Sequence, residues 1–220
     1  MGAPYTRIYF MRSRVRDLAG DKEGAKQDFA EGLRREPSDE KSWIARGIAK
    51  LTSDLDGALA DFAKAEELNE RSLAALQNQA HVLSKQSKME KAIEVLNREV
   101  DMYPDYVPAR VGRGVMFARL GKSDEALKDA DESLRRDFGP AIQYQVACIF
   151  ALTSKVDADD RVQSLLYLAS ALRKGYGFDL FEQDKDLDLI RDTDGYRELV
   201  KAKETLKPAA PKRIGDPPRR

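Results

Sequence analysis

From Val107 to Leu120 the apolar residues Val111, Val115, Phe117, Ala118 and Leu120 recur at helical spacing, and Gly121 follows as a residue able to take positive φ. Beyond that stop, Ser123 stands where it can cap a second helix, and Asp124 and Glu125 suit the dipole of its first turn. Ala126, Leu127, Ala130 and Leu134 form the apolar stripe of this second helix. The pattern predicts a helical hairpin. Gly114 and Ala126 are small where its two helices approach, and larger side chains there would push the pair apart.

The unit recurs. Taking the alanine of the second helix as a marker, Ala25, Ala58, Ala92 and Ala126 follow one another at intervals of 33, 34 and 34 residues. The first copy reads Tyr9, Ser13, Gly20, Ala25, Phe29, Gly32, Pro37; the second reads Trp43, Gly47, Ala58, Phe62, Ala65 and lacks the turn glycine and closing proline. The third reads Leu76, Ala80, Leu83, Ala92, Leu96, Pro104, and the fourth Arg110, Gly114, Phe117, Gly121, Ala126, Ala130. A fifth has Tyr144, Ala147, Cys148 and Ala151 in its first helix, then a polar insertion from Thr153 to Asp160 before a longer second helix from Val162 to Leu172. A period near 34 with this order of aromatic, small, turn and alanine positions resembles the tetratricopeptide repeat.

That resemblance implies an all-α fold, a right-handed α-solenoid of about five helical hairpins at roughly 5–38, 39–71, 72–105, 106–139 and 140–174. Ser38 is expected to cap one helix, and Ser87 with Glu90 to form a capping box at the start of another. After Gly175-Tyr176-Gly177-Phe178 the chain turns acidic, with Leu180, Phe181, Leu187, Leu189 and Ile190 interspersed. Residues 175–206 read as a C-terminal helical cap whose apolar side chains cover the last hairpin while its aspartates face water. Leu187, Ile190, Arg191, Asp192 and Tyr196 resemble the closing segment that follows such repeats in bacterial multidomain proteins. Residues 207–220, with four prolines and five basic residues, read as a disordered tail.

Charge and chemistry narrow the function. The 220 residues carry 38 basic and 38 acidic side chains, a balance that argues against nucleic acid as a partner. One cysteine excludes disulfides, and no apolar run is long enough to cross a bilayer, so a cytoplasmic location without membrane contact is expected. Asp184, Asp186 and Asp188 alternate as in a calcium loop, but Leu189 and Gly195 occupy the positions that need glycine and a bidentate glutamate, so no metal is expected. No cofactor or catalytic motif is present, and His81 is the only histidine. Cys148 falls at the small position of Gly47, Ala80 and Gly114, which points to packing. Arg7, Arg12, Arg14 and Arg16 make the first helix basic, which reads as a solvated face.

What remains is a binding surface. In tetratricopeptide proteins the first helix of each hairpin lines a concave groove, and carrying that over nominates Phe10, Arg14, Ile44, Ile48, Gln77, Asn78, His81, Val111, Val115, Arg119 and Ile149. The lysine and basic partners of the carboxylate clamp used by chaperone-binding members are missing; Asn78 alone matches it. An apolar trough with a few polar anchors suits an amphipathic helix or extended peptide. The expectation is a non-catalytic protein-interaction scaffold. The alternative is a regulatory or targeting segment of a larger multidomain enzyme such as a bacterial serine/threonine kinase, because no polar capping helix precedes the first hairpin. Self-association through that hairpin is a further reading.

Overall fold

A computed structural model of the chain describes residues 5–206. Among these residues there are eleven α-helices, one 3-10 turn and no strand. The helices are α1 (Thr6–Leu18), α2 (Lys22–Arg34), α3 (Glu40–Lys50), α4 (Leu55–Leu68), α5 (Leu73–Lys85), α6 (Met89–Met102), α7 (Val107–Arg119), α8 (Ser123–Arg136), α9 (Pro140–Thr153), α10 (Asp160–Arg173) and α11 (Asp194–Leu206). The expected tail, 207–220, lies outside the described residues. The chain divides into two compact units, Met1–Ala109 and Arg110–Arg220.

The first unit contains the hairpins α1/α2, α3/α4 and α5/α6, with α1 packed on α3 and α4 on α5. Small residues let the paired helices meet. A Cβ on Gly47 would lie 2.5 Å from the ring of Phe62, and one on Gly32 would lie 2.8 Å from the ring of Phe10. Phe62 is fully buried with Ala58 and Val82, and Ile44 and Leu51 pack against them.

A charged tie, invisible to the apolar pattern, joins the helices of three hairpins at equivalent positions. Arg12 Nε donates to Asp28 Oδ2 at 2.6 Å. Arg46 Nε and Nη2 donate to the two oxygens of Asp61 at 2.9 and 2.8 Å. In the second unit Arg113 Nε and Nη2 both reach Asp129 at 2.8 Å. All three carboxylates are buried. Such forked contacts fix the rotation of one helix against the other as well as their separation. The third hairpin has Gln79 and Val95 at these positions, and Gln79 Nε2 donates to Glu66 instead, at 2.7 Å.

In the second unit, Gly114 places α7 close against α8 and α9; an added Cβ would meet Ile149, Asp129 and the Ala126 carbonyl within 3.3 Å. The α9/α10 hairpin is covered by the segment after it. Phe178, Phe181, Leu187, Ile190 and Tyr196 share one core with Tyr144, Ala147, Cys148, Ala151, Leu168, Ala171 and Leu172. Tyr196 also donates from its hydroxyl to the Phe181 carbonyl at 2.9 Å, which ties α11 to the turn before it. Two residues depart from the expected division of labour. Leu180 is exposed, and Asp186 is buried and paired with Arg119.

The caps differ from expectation as well. Ser87 does not cap α6; it adopts φ +58°, the left-handed position that Gly20 and Gly121 fill in other hairpins, and α6 begins after Lys88 with no side-chain cap. Asp39, one residue beyond Ser38, accepts from Ser42 N and starts α3. Ser123 is the first residue of α8 rather than its cap. Aspartates 21 and 54 cap α2 and α4 by accepting from the backbone N–H three residues on. Helix α10 is no longer than α9, at 14 residues each.

Candidate functional site

The nominated groove residues all lie on first helices: Phe10 and Arg14 on α1, Ile44 and Ile48 on α3, Gln77, Asn78 and His81 on α5, Val111, Val115 and Arg119 on α7, and Ile149 on α9. Their exposure separates them. Ile48 is half exposed, and Arg14, His81 and Arg119 are also open to solvent. Phe10 stacks edge-on against Phe29 inside its own hairpin, with ring centroids 5.7 Å apart. Asn78 turns back on its helix and donates to the Ala74 carbonyl at 2.7 Å. Val111 and Ile149 are fully buried, because the same 3.6-residue period that lines a groove also lines the contact between neighbouring helices. Gln77 is half-buried beside Glu99 and Tyr106.

Glu99 is the most unusual group in the first unit. It is 1% exposed, and neither carboxylate oxygen has a hydrogen-bond partner among the described residues. Desolvation pushes its pKa up to about 7, with Gln77 close enough to counter only part of the effect. A buried carboxyl in this setting takes up a proton near neutral pH.

The second unit holds a cavity of about 270 Å³. Gly112, Val115, Met116 and Arg119 of α7 form one wall; Tyr144, Gln145 and Cys148 of α9 form the next; Tyr176, Leu180, Asp184 and Asp186 of the closing segment complete it. Arg119 donates from Nε and Nη2 to the two oxygens of Asp186 at 2.9 and 2.8 Å. Asp184 accepts from the Tyr144 hydroxyl at 3.0 Å and from the Asp186 backbone N–H at 3.1 Å, and Cys148 Sγ lies 3.7 Å from it. Among the described residues no lysine or arginine side chain forms an ion pair with Asp184, so two carboxylates and one guanidinium leave the cavity one negative charge.

Burial, with Asp184 nearby, raises the Cys148 pKa and holds the thiol protonated; the same causes raise Tyr144. Cys148, Asp184 and Asp186 lie within 4.8 Å of one another, a spacing that could hold a metal. Two features oppose it: a thiol must lose its proton to ligate, and Arg119 already holds both oxygens of Asp186. The corner is a hydrogen-bonded anionic wall.

Val115 and Arg119 are the nominated residues that this cavity brings together. The sequence pattern marks Tyr144 as a first-helix repeat position, Tyr176 as part of a helix break, and Leu180 and the water-facing aspartates as cap, because their approach to α7 depends on how the closing segment folds back. The alternating aspartates were the one sequence signal, and calcium-loop spacing was the wrong test for them.

Residues 78–140 match the family model described as a tetratricopeptide repeat. That segment carries the tetratricopeptide repeat, and the hairpin fold resembles that of solved tetratricopeptide-repeat proteins. No curated protein matches its sequence. Solved structures similar to it include a tetratricopeptide repeat protein from Parabacteroides merdae, with 19% identity, TM-score 0.61, and 84% of this chain and 70% of that one covered. A thermophilic TPR protein of Thermus thermophilus is 20% identical, with TM-score 0.59 and coverage of 89% and 99%. YrrB, described as a TPR protein with an unusual peptide-binding site, is 18% identical, with TM-score 0.54 and coverage of 73% and 85%. No helix of the described residues is long and apolar enough to cross a membrane.

Proposed function

We propose that the chain is a non-catalytic interaction scaffold that binds a peptide or helix of a protein partner on the faces of its first helices. The cavity beside α7 and α9 carries this reading. Val115, Met116, Tyr144, Tyr176 and Leu180 give it apolar walls, and Arg119, Gln145, Asp184 and Asp186 give it a few convergent polar groups, the mixture that a peptide side chain requires. In the first unit, Arg14, Ile48 and His81 remain exposed for contact, whereas Ile44 packs on the Phe62 core and Gln77 is half-buried beside Glu99. The fold's likeness to a peptide-binding repeat protein supports the same class of function.

Selection of a displayed random heptapeptide library against the full chain tests the proposal. Enriched peptides are expected, and their synthetic forms should lose at least tenfold in affinity on Ile48→Glu or Leu180→Glu, since both side chains are about half exposed and their replacement leaves the helices intact. Enrichment of no peptide, or equal binding by parent and both variants, would overturn it.

A further inference from the structure

Resting on that reading, we infer that the cavity of the second unit is a selectivity pocket for one lysine or arginine side chain of the bound peptide. Its shape and charge argue together. Leu180 and Tyr176 stand at an apolar wall suited to an aliphatic stem, while the carboxylate of Asp184 lines the same cavity and forms no ion pair among the described residues. Arg119 holds Asp186 by two hydrogen bonds and attracts Asp184 through space without forming an ion pair with it. Asp184 Oδ1 receives one backbone donor and Oδ2 the Tyr144 hydroxyl and Cys148 thiol, which leaves lone-pair capacity for an ammonium or guanidinium.

Gln145 supplies a second acceptor. Its Oε1 is buried in the same cavity without a hydrogen-bond partner, an unmet demand that an arriving N–H would satisfy. The volume of about 270 Å³ exceeds what a single long side chain needs, so the stem can enter without displacing Val115 or Met116. An acidic side chain would meet the remaining negative charge and be rejected. The pocket thus prefers the charge opposite to the carboxylate that clamp-bearing repeat proteins take.

The library selection, read by position, tests this. Peptides selected on the full chain should carry Lys or Arg at one shared position, and replacing that residue by norleucine should weaken binding by roughly tenfold or more. On Asp184→Asn, which retains the oxygen that accepts from Asp186 N–H, the same replacement should change affinity less than twofold. Gln145→Lys, which places an ammonium in the cavity, should have the same effect should Asp184→Asn unfold, with circular dichroism checking both. Peptides that bind but share no basic position would sink the pocket and leave the scaffold reading intact; a selection that enriches nothing sinks both. A variant with Lys207, Lys212, Arg213, Arg219 and Arg220 replaced by glutamine identifies self-occupancy: if basic peptides bind only to that variant, the occupant is the chain's own basic segment and the partner assignment is overturned.

Discussion

Replacing Glu99 by glutamine preserves the shape of the side chain and removes its ability to ionise, so stability should respond in a way that depends on pH. In the folded chain Glu99 has a pKa of about 7 against an ordinary 4.5, because burial strips water from its carboxylate and Gln77 offsets only part of that cost. The folded state therefore holds this proton more tightly than the unfolded state. That contribution to stability is fully present below pH 4.5, is lost as pH rises from 4.5 to about 7, and is level above that. Holding the proton up to about pH 7 instead of 4.5 corresponds to about 3 kcal/mol for a side chain that is 1% exposed. The advantage of Glu99→Gln over the parent should accordingly grow from about 1 kcal/mol at pH 5 to about 3 kcal/mol at pH 8. Urea denaturation of both proteins, followed by circular dichroism across that range, measures the difference. A difference that stays flat, or that favours the parent at pH 8, would mean that Glu99 has a partner in solution and the desolvation argument is wrong.

Asp61→Ala should destabilise by about 3–5 kcal/mol, because Arg46, 9% exposed, keeps its charge and loses both of its forked contacts. The double variant Arg46→Met with Asp61→Leu should recover most of that loss; thermal melts showing the double variant worse than Asp61→Ala would contradict a charge-burial origin. Ser87→Gly should stabilise by about 0.5–1 kcal/mol by relieving φ +58°, where Gly20 and Gly121 already sit, and a drop in melting temperature would show that Ser87 contributes more than backbone conformation.

Much of the architecture was legible without coordinates. The recurring alanines, the turn glycines and the 3.6-residue apolar stripes mark hairpins because helix formation and close helix approach are local demands, met by residues a few positions apart. Capping was legible in kind but not in place. Asp39 does the work expected of Ser38, since a cap depends on which backbone N–H lies within reach of a short side chain, and a slip of one residue changes the donor.

Site residues were harder to read. A stripe on a first helix looks the same whether it faces solvent or another helix, and so Ile48 and Val111 shared one pattern although one is half exposed and the other fully buried. Sequence alone therefore determined the class of fold, the repeat period and the absence of recognisable catalytic motifs. Only the tertiary structure decided that Arg119, 67 residues from Asp186, would hold it in a forked pair and leave Asp184 beside a cavity. Long-range pairing of charges depends on the path of the closing segment, and the packing of Phe178, Phe181 and Leu187 into the last hairpin sets that path.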